Sequence, residues 1–567
     1  MKTLFKKDTF WLLLVIVVSV ISIYPLFHKG FYSFHDEAHI ANLYEMTRGI
    51  SMGEIPPRWS PDFSYNFGLP FFNFYYLFPF YLGAFFYLIF KISLFWSLKL
   101  VFLLSVPFSG MAFYFLMKKY FSKITAFSGA VIYMFTPYRA VDLYVRGAVG
   151  ELWGFVAMPL VLLGYVNLIE KRNLKNFLLC SIALAFLIIT HNLTLVIFSP
   201  IIFAAGCFLL ISSQKKLSSL VSVFLATLFG LLISAYYWLP AMMEKKYMQP
   251  GTPFNPFDHF PFIKQLLFPS WGYGVSTWGP YDGMSFQIGI VNLLLIILVS
   301  ISLLFFWEKI LSVNKKMMIT FVLLFFSYLF LMNIRSSFIW KILPLGEYLQ
   351  FPWRALTVTT FLSSFFVGFI ECFPFKKLSK TLPVLLAVLS VILTFQYFKP
   401  QKYLEVTDNY YLKRFFADRV SSGKSEKESL EYANWTESYI PLTIWTEKRP
   451  ESLPGKKIEM EDGIISYKEV SPINLEVEIQ AKKESEVIVN NYYFPGWKAF
   501  VDGKETEIKI LEPLGNMSVP VVAGEHKMSV NFSETFIRSL ADKISLFSIM
   551  IIFLLPFLQK FKKLKFP

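Results

Sequence analysis

A few polar side chains sit at the ends of long apolar segments, and their types suit proton transfer and phosphate binding. The first apolar segment is followed by Phe34-His35-Asp36-Glu37-Ala38-His39. Asp36 and His39 are three residues apart and would share one face of a helix. An acidic residue so close to a membrane is costly unless it is paired or functional. The plain structural role for Asp36 is to cap an amphipathic helix over 37–50. Further on, Arg58 stands beside Trp59, where a planar fork of donors could hold a phosphate. Interfacial anchoring is the competing role for that pair.

A second cluster lies in Tyr138-Arg139-Ala140-Val141-Asp142-Leu143-Tyr144-Val145-Arg146-Gly147-Ala148-Val149-Gly150-Glu151. Four charges there, Arg139, Asp142, Arg146 and Glu151, exceed what a turn between two helices needs. Asp142 and Arg146 are four apart and could simply pair. Glu151 could cap the next helix or face the same cavity. His191 stands at the end of another apolar segment, where a structural role is the ordinary one. Arg354, after Phe351-Pro352-Trp353, enters a segment beside aromatics, either as a lipid-phosphate ligand or as a snorkelling cation.

The elements that must position these groups follow from composition. Of 567 residues, 55% are hydrophobic and 16% charged, with a mean hydropathy of +0.51. Soluble chains carry about 25% charged residues. The chain therefore reads as a polytopic α-helical membrane protein. A helix needs about 20 apolar residues to cross the hydrocarbon. Twelve candidate spans meet this roughly, at 9–27, 97–117, 122–137, 151–169, 176–191, 193–212, 217–239, 286–306, 317–333, 353–371, 382–398 and 540–559. A further apolar segment, 71–90, carries Pro79, Tyr75, Tyr76 and Tyr81, which suit an interfacial helix.

The net charge of +15 does not mark a nucleic-acid partner. Residues 400–537 carry 17 Lys and Arg against 23 Asp and Glu, a net of −6, which leaves +21 on the remainder. That excess falls in short clusters between apolar segments, such as Lys118/Lys119/Lys123 and Lys376/Lys377/Lys380. Clusters of this kind mark cytoplasmic loops. Placing all of them inside puts both termini in the cytoplasm. It also requires 71–90 to lie along or dip into the outer interface rather than cross. The long segments 28–96, 240–285 and 399–538 then face outward. The last holds alternating runs at 473–479 and 486–490 and the turn signal Asp502-Gly503, which predict a small β-sandwich. The expected units are a membrane domain over 1–398, an extracytoplasmic domain over 399–538 and a final helix with a basic tail over 539–567. Cys180, Cys207 and Cys372 form no CxxC, and neither a nucleotide-binding phosphate loop nor HExxH occurs.

Taken in order, the acidic pair with His, Pro57-Arg58-Trp59, Gly68-Leu69-Pro70 with Phe74-Tyr75-Tyr76, and Tyr144-Val145-Arg146-Gly147 with Glu151 form a recognisable series. Residues 1–400 resemble bacterial membrane proteins with a "6-pyruvoyl-tetrahydropterin synthase-related" membrane domain. These are similar to the GT-C superfamily of glycosyltransferases and to YfhO-like membrane proteins. The run Asn491 to Lys504, with Ala523-Gly524-Glu525-His526, resembles the outer β-domain of the YfhO-like proteins. The pterin label carries no chemistry here, because its zinc-binding His cluster is not evident.

The resemblance implies a GT-C-like fold and an inverting glycosyltransferase. Such an enzyme moves a sugar from a polyprenyl-phosphate donor to an envelope lipid, glycan or protein on the outer face. It places the catalytic acid on Asp36, with Glu37 as the nearby alternative, and matches Asp142 to a second acidic position. Arg58, Arg146 and Arg354 become candidate phosphate donors, and His39, Glu151 and His191 candidate substrate ligands. A divalent cation, Mg or Mn, could bridge Asp36, Asp142 or Glu151 to the phosphate. The rival expectations are a lipid or sugar flippase and a non-catalytic envelope-assembly factor.

Overall fold

The computed structural model describes residues 7–249, 254–310, 312–416, 441–471 and 473–561. Eight of its helices are long and apolar enough to cross a membrane: Asp8–Phe27, Leu94–Met117, Val149–Glu170, Asn192–Ile211, Lys216–Ile233, Asn314–Leu331, Pro352–Cys372 and Lys377–Tyr397. The chain is a polytopic α-helical membrane protein with a β-rich region toward its C-terminus. The expected count of twelve spans is corrected to eight among the described residues. Three of the other four are shorter apolar helices, Lys123–Met134, Leu174–Thr190 and Ile290–Phe305. The fourth lies within Phe536–Phe561, whose first turns carry Arg538, Asp542 and Lys543.

Local chemistry sets those shorter lengths. Lys123–Met134 begins at Ser122, whose side chain accepts from the Thr125 N–H, and stops before Thr136, held extended ahead of Pro137. Leu174–Thr190 ends where His191 turns extended and caps the next helix. Segment 71–90 is broken into Phe71–Phe74 and Phe78–Phe90. At 1.5 Å per residue the second piece is about 20 Å long, short of a hydrocarbon core about 30 Å thick.

Val149–Glu170 forms the centre of the bundle and packs against Leu94–Met117 and Leu174–Thr190. Between Pro137 and Val149 the chain makes a short helix, Pro137–Ala140, then a π-turn, Val141–Arg146, closed by Gly147 in the left-handed region (φ +70°). A side chain at Gly147 would collide with the ring of Phe34. This glycine therefore lets the first long loop lie directly on the second.

The β-rich region holds two antiparallel sheets. Its strands are β3 (Ile458–Glu459), β4 (Gly463–Ser471), β5 (Asn474–Ala481), β6 (Ser485–Tyr492), β7 (Trp497–Val501), β8 (Lys504–Thr506), β9 (Lys509–Leu511), β10 (Asn516–Val521) and β11 (Gly524–Phe532). One sheet runs β3-β6-β10-β9 and the other β4-β5-β11-β7-β8. Strict alternation of buried and exposed residues along β5 gives one face to the core. Asp502 and Gly503, both at positive φ, form the tight turn between β7 and β8. Trp497 and Tyr492 are buried, and Trp497 packs on Trp59 and Phe532. They are core residues of the β-rich region. Residues 417–440 of the expected extracytoplasmic domain lie outside the described residues. So do basic residues used to orient the chain, among them Lys2, Lys6, Lys562, Lys563 and Lys565.

The β-rich region is fastened to the helices. β1 (Phe31–Tyr32) pairs with β2 (Tyr403–Leu404), and the N–H of Tyr492 donates to the carbonyl of Phe67 at 2.8 Å.

Candidate functional site

The first loop is laid on the second by backbone bonds. The N–H groups of His35 and Asp36 donate to the carbonyls of Val145 and Arg146, each at 2.9 Å. The helix that follows runs His39–Ser51 and has no side-chain cap. The capping role for Asp36 is therefore unfilled, and its side chain remains 50% exposed. Its Oδ2 lies 3.9 Å from Nε2 of His39. His39 is buried against Phe80 and Tyr76, edge to face. Burial holds its imidazole below the ordinary range, against the pull of Asp36. His39 is therefore neutral near pH 7.

Arg146 forms the floor. Its Nη1 donates to Asp142 Oδ1, to Glu151 Oε2 at 2.7 Å and to the Tyr138 hydroxyl at 3.1 Å. The guanidinium lies 4.6 Å from the centre of the Trp353 ring. Glu151 Oε1 also accepts from Tyr138 at 2.7 Å and from the Thr357 hydroxyl. Two carboxylates thus share one guanidinium nitrogen. Burial and the nearby Glu151 push Asp142 well above the usual carboxylate range, opposed by Arg146 and Arg139. Its Oδ2 is buried and makes no hydrogen bond.

Arg354 reaches the same place from the helix after Pro352. Its Nη2 donates to Gln350 at 2.8 Å, while Nε is buried without a hydrogen-bond partner. Its field is felt at Glu151, Arg146 and Asp36. His191 completes the cluster. Its Nδ1 accepts the Thr194 N–H at 3.3 Å, so the ring proton sits on Nε2. The ring meets Tyr76 edge to face, and Gly150 has no room for a side chain between these two rings. Tyr75 and Tyr76 stack at 4.2 Å, with the Tyr75 hydroxyl donating to that of Tyr76 at 3.2 Å.

Asp36, His39, Asp142, Arg146, Glu151, His191 and Arg354 are therefore brought together. The other two expected residues face different partners. Glu37 is buried, and Arg414 Nη1 lies 3.2 Å from its Oε2. Burial raises its carboxyl, partly offset by Arg414. Arg58 spends its donors on Glu534 at 3.0 Å, Asp542 at 2.7 Å and Asn73 at 3.0 Å. Asn73 continues to Glu244 at 3.0 Å, and Glu244 accepts from Arg538 at 2.9 Å. This network bolts the final helix and the β-rich region to the first loop, and no donor of Arg58 in it is turned to a ligand.

The residues do not fit a divalent cation. Asp142 and Glu151 are already joined through Arg146, and no group of three His, Cys, Asp or Glu side chains able to hold a metal occurs among the described residues.

Sequence reasoning missed Tyr138, Thr357, Tyr75 and Tyr76 as partners in the cluster. It named Arg139 without assigning it a role. Arg139 is buried, lies 4.3 Å from the centre of the Phe155 ring and donates to Ser109 at 2.9 Å. Only the Tyr-rich composition of both loops hinted at the hydroxyls.

No family model matches the chain, and no curated protein matches it. Two solved structures are similar in part. The apo crystal structure of the Archaeoglobus fulgidus oligosaccharyltransferase aligns at a TM-score of 0.43 and 12% identity, over 78% of this chain and 61% of that one. The oligosaccharyltransferase AglB of the same organism, in complex with an inhibitory peptide and a dolichol-phosphate, aligns at 0.41 and 12%, over 79% and 61%. This chain spans about 61% of the length of the oligosaccharyltransferases it is similar to.

Proposed function

We propose that the chain is a membrane glycosyltransferase of the GT-C type, acting on a polyprenyl-phosphate-linked sugar at the outer face. The observation that carries this reading is the half-exposed Asp36 beside a buried neutral His39, within the field of Arg146 and Arg354. Asp36 has the accessibility a general base needs. Arg354 and the Nε2–H of His191 are donors with capacity left for an anion.

In the reaction, an acceptor hydroxyl gives its proton to Asp36 as its oxygen bonds to the anomeric carbon. The bond from that carbon to the phosphate oxygen breaks, and its electron pair leaves on the polyprenyl phosphate. Attack opposite the leaving group inverts the anomeric centre. Arg354 and His191 stabilise the charge that develops on the phosphate. Arg146 Nη1 is taken up by Asp142, Glu151 and Tyr138, so this residue braces the floor with its side chain and holds the Asp36 N–H with its carbonyl. Neutral His39 lies 3.9 Å from Asp36 and adds no competing charge beside it. No step is routed through a metal. The acceptor is an envelope lipid, glycan or protein, and both chain termini lie in the cytoplasm.

The test is to incubate purified protein with a panel of polyprenyl-phosphate sugars and envelope acceptors. Transfer that is lost in Asp36→Asn supports the reading. Absence of transfer with every donor would turn it toward the non-catalytic assembly factor, which the mutual neutralisation of Asp142, Arg146 and Glu151 also suits.

A further inference from the structure

Residues 262–282 carry a dense set of exposed apolar side chains on a well-braced frame. The short helix Ile263–Leu267 is followed by a glycine-rich excursion, Trp271 to Met284, in which Gly274 and Gly283 pair through their backbones at 2.9 Å. Side chains at Gly272 or Gly283 would collide with the opposite backbone. The crossing is therefore closed by glycine, and it drives the tip 275–282 outward. At that tip Trp278 is 80% and Tyr281 92% exposed. Phe262, Ile263, Phe268 and Val275 are exposed with them.

Two facts identify what covers this surface. The first is depth. The N–H of Ile288 donates to the carbonyl of Leu266 at 3.0 Å, and the apolar helix Ile290–Phe305 starts two residues later. The short helix therefore lies level with the start of an apolar helix. Its exposed Lys264 stands beside its exposed apolar chains. The second is the fate of the polar groups. Asp282 uses one carboxylate oxygen on the Thr277 N–H at 2.9 Å and the other on Gln265 at 2.7 Å. Gln265 also accepts from the Phe262 N–H at 2.7 Å, and Ser276 is engaged by His259 at 2.9 Å. These polar side chains are consumed in bracing the tip. Asp282, Gln265 and Ser276 are therefore not free to meet sugar hydroxyls.

We infer that residues 262–282 form a membrane-docking finger whose partner is the outer-leaflet lipid surface. The aromatic tip sits at the level of the headgroups, and Phe262, Ile263 and Phe268 enter the acyl boundary. The finger is tied to the first loop, because His35 Nε2 donates to the carbonyl of Tyr273 at 2.9 Å, one residue before Asp36. Its depth therefore sets the height of Asp36 above the bilayer. The inference stands whether or not the transferase reading holds.

The test places an environment-sensitive NBD probe on Trp278→Cys and, separately, on Tyr281→Cys, after Cys180, Cys207 and Cys372 are replaced by serine. The labelled chains are reconstituted in liposomes. Lys504→Cys, at the exposed start of β8, is the aqueous control. The expected result is blue-shifted emission at 278 and 281, with quenching by lipid-borne doxyl groups at least twofold stronger than at 504. Emission and quenching equal to those at 504 would overturn the inference. So would a probe shielded by soluble oligosaccharides and not by lipid. Should the serine background fail to fold, p-benzoylphenylalanine at position 278 in the native chain replaces the probe. Photoadducts to lipid are then expected, and adducts to protein or glycan alone overturn the inference.

Discussion

The backbone N–H of Asp36 donates to the carbonyl of Arg146 at 2.9 Å. Through this bond the proposed base is held by the residue whose side chain gathers two carboxylates. The half-exposed Asp36 and the buried ionic floor are joined through the backbone.

Asp36→Asn is expected to abolish transfer from a lipid-linked sugar while leaving the fold intact. Its carboxyl lies 3.9 Å from the neutral His39, so little native interaction is lost. Stability in detergent should stay within about 0.5 kcal/mol of the parent, as for exposed positions. Product formation and thermal unfolding on one preparation check both parts.

Arg146→Lys and Asp142→Asn should differ sharply. Lysine loses the stack on Trp353 and the planar donor that serves three acceptors. A loss of about 1–3 kcal/mol and of most activity is expected. Burial holds the Asp142 carboxyl well above the usual range and an amide keeps an acceptor oxygen for Arg146, so the substitution should cost under about 1 kcal/mol. Equal losses in thermal unfolding would contradict the shared-guanidinium floor.

Arg58→Ala is expected to act through stability. The substitution strands Glu534 and Asp542 and removes a bond to Asn73. A loss of about 2–4 kcal/mol follows for a buried cation of this kind. At a temperature where the variant is folded, its transfer rate should approach that of the parent.

Gly147→Ala should be costly for its size, because the position needs φ +70° and its Cβ would enter the Phe34 ring. A loss above about 1 kcal/mol is expected, with transfer falling further as the first loop is lifted. Gly53→Ala, also at positive φ but with open space around it, supplies the backbone-only comparison.

Glu54 offers a pH test outside the membrane helices. Burial pushes its carboxyl from 4.5 up to about 7, only partly offset by Arg48. A carboxyl raised on folding binds its proton more tightly in the native state, so stability falls as pH rises between these two values. Glu54→Gln should flatten that part of the stability profile, measured by denaturant unfolding from pH 4 to pH 8. An unchanged slope would count against burial as the cause.

The legible parts of the sequence were those with a local physical signature. Apolar length located the membrane helices, although Pro137 and His191 ended some of them earlier than hydropathy implied. Alternation at 473–479 and Asp502-Gly503 marked strands and turn. Asp36, Asp142, Arg146 and Glu151 stood out because charge beside apolar segments needs a reason. What was not legible depends on distant partners. Arg58 looked like a phosphate ligand beside Trp59, while Glu534 and Asp542 lie more than 470 positions away. Glu37 and Asp36 are adjacent in sequence, and only the placement of Arg414 separates their surroundings.

Those separations also fix an order of events during synthesis. Asp542 is added 484 residues after Arg58. At about 5–20 residues per second, that is a wait of roughly 25 to 100 seconds. Throughout that interval the first loop is already outside the ribosome, with its arginine lacking both acidic partners. The network around Arg58 can close only when the last helix is delivered. A premature stop late in the message would therefore leave an arginine encoded near its beginning without its acidic partners.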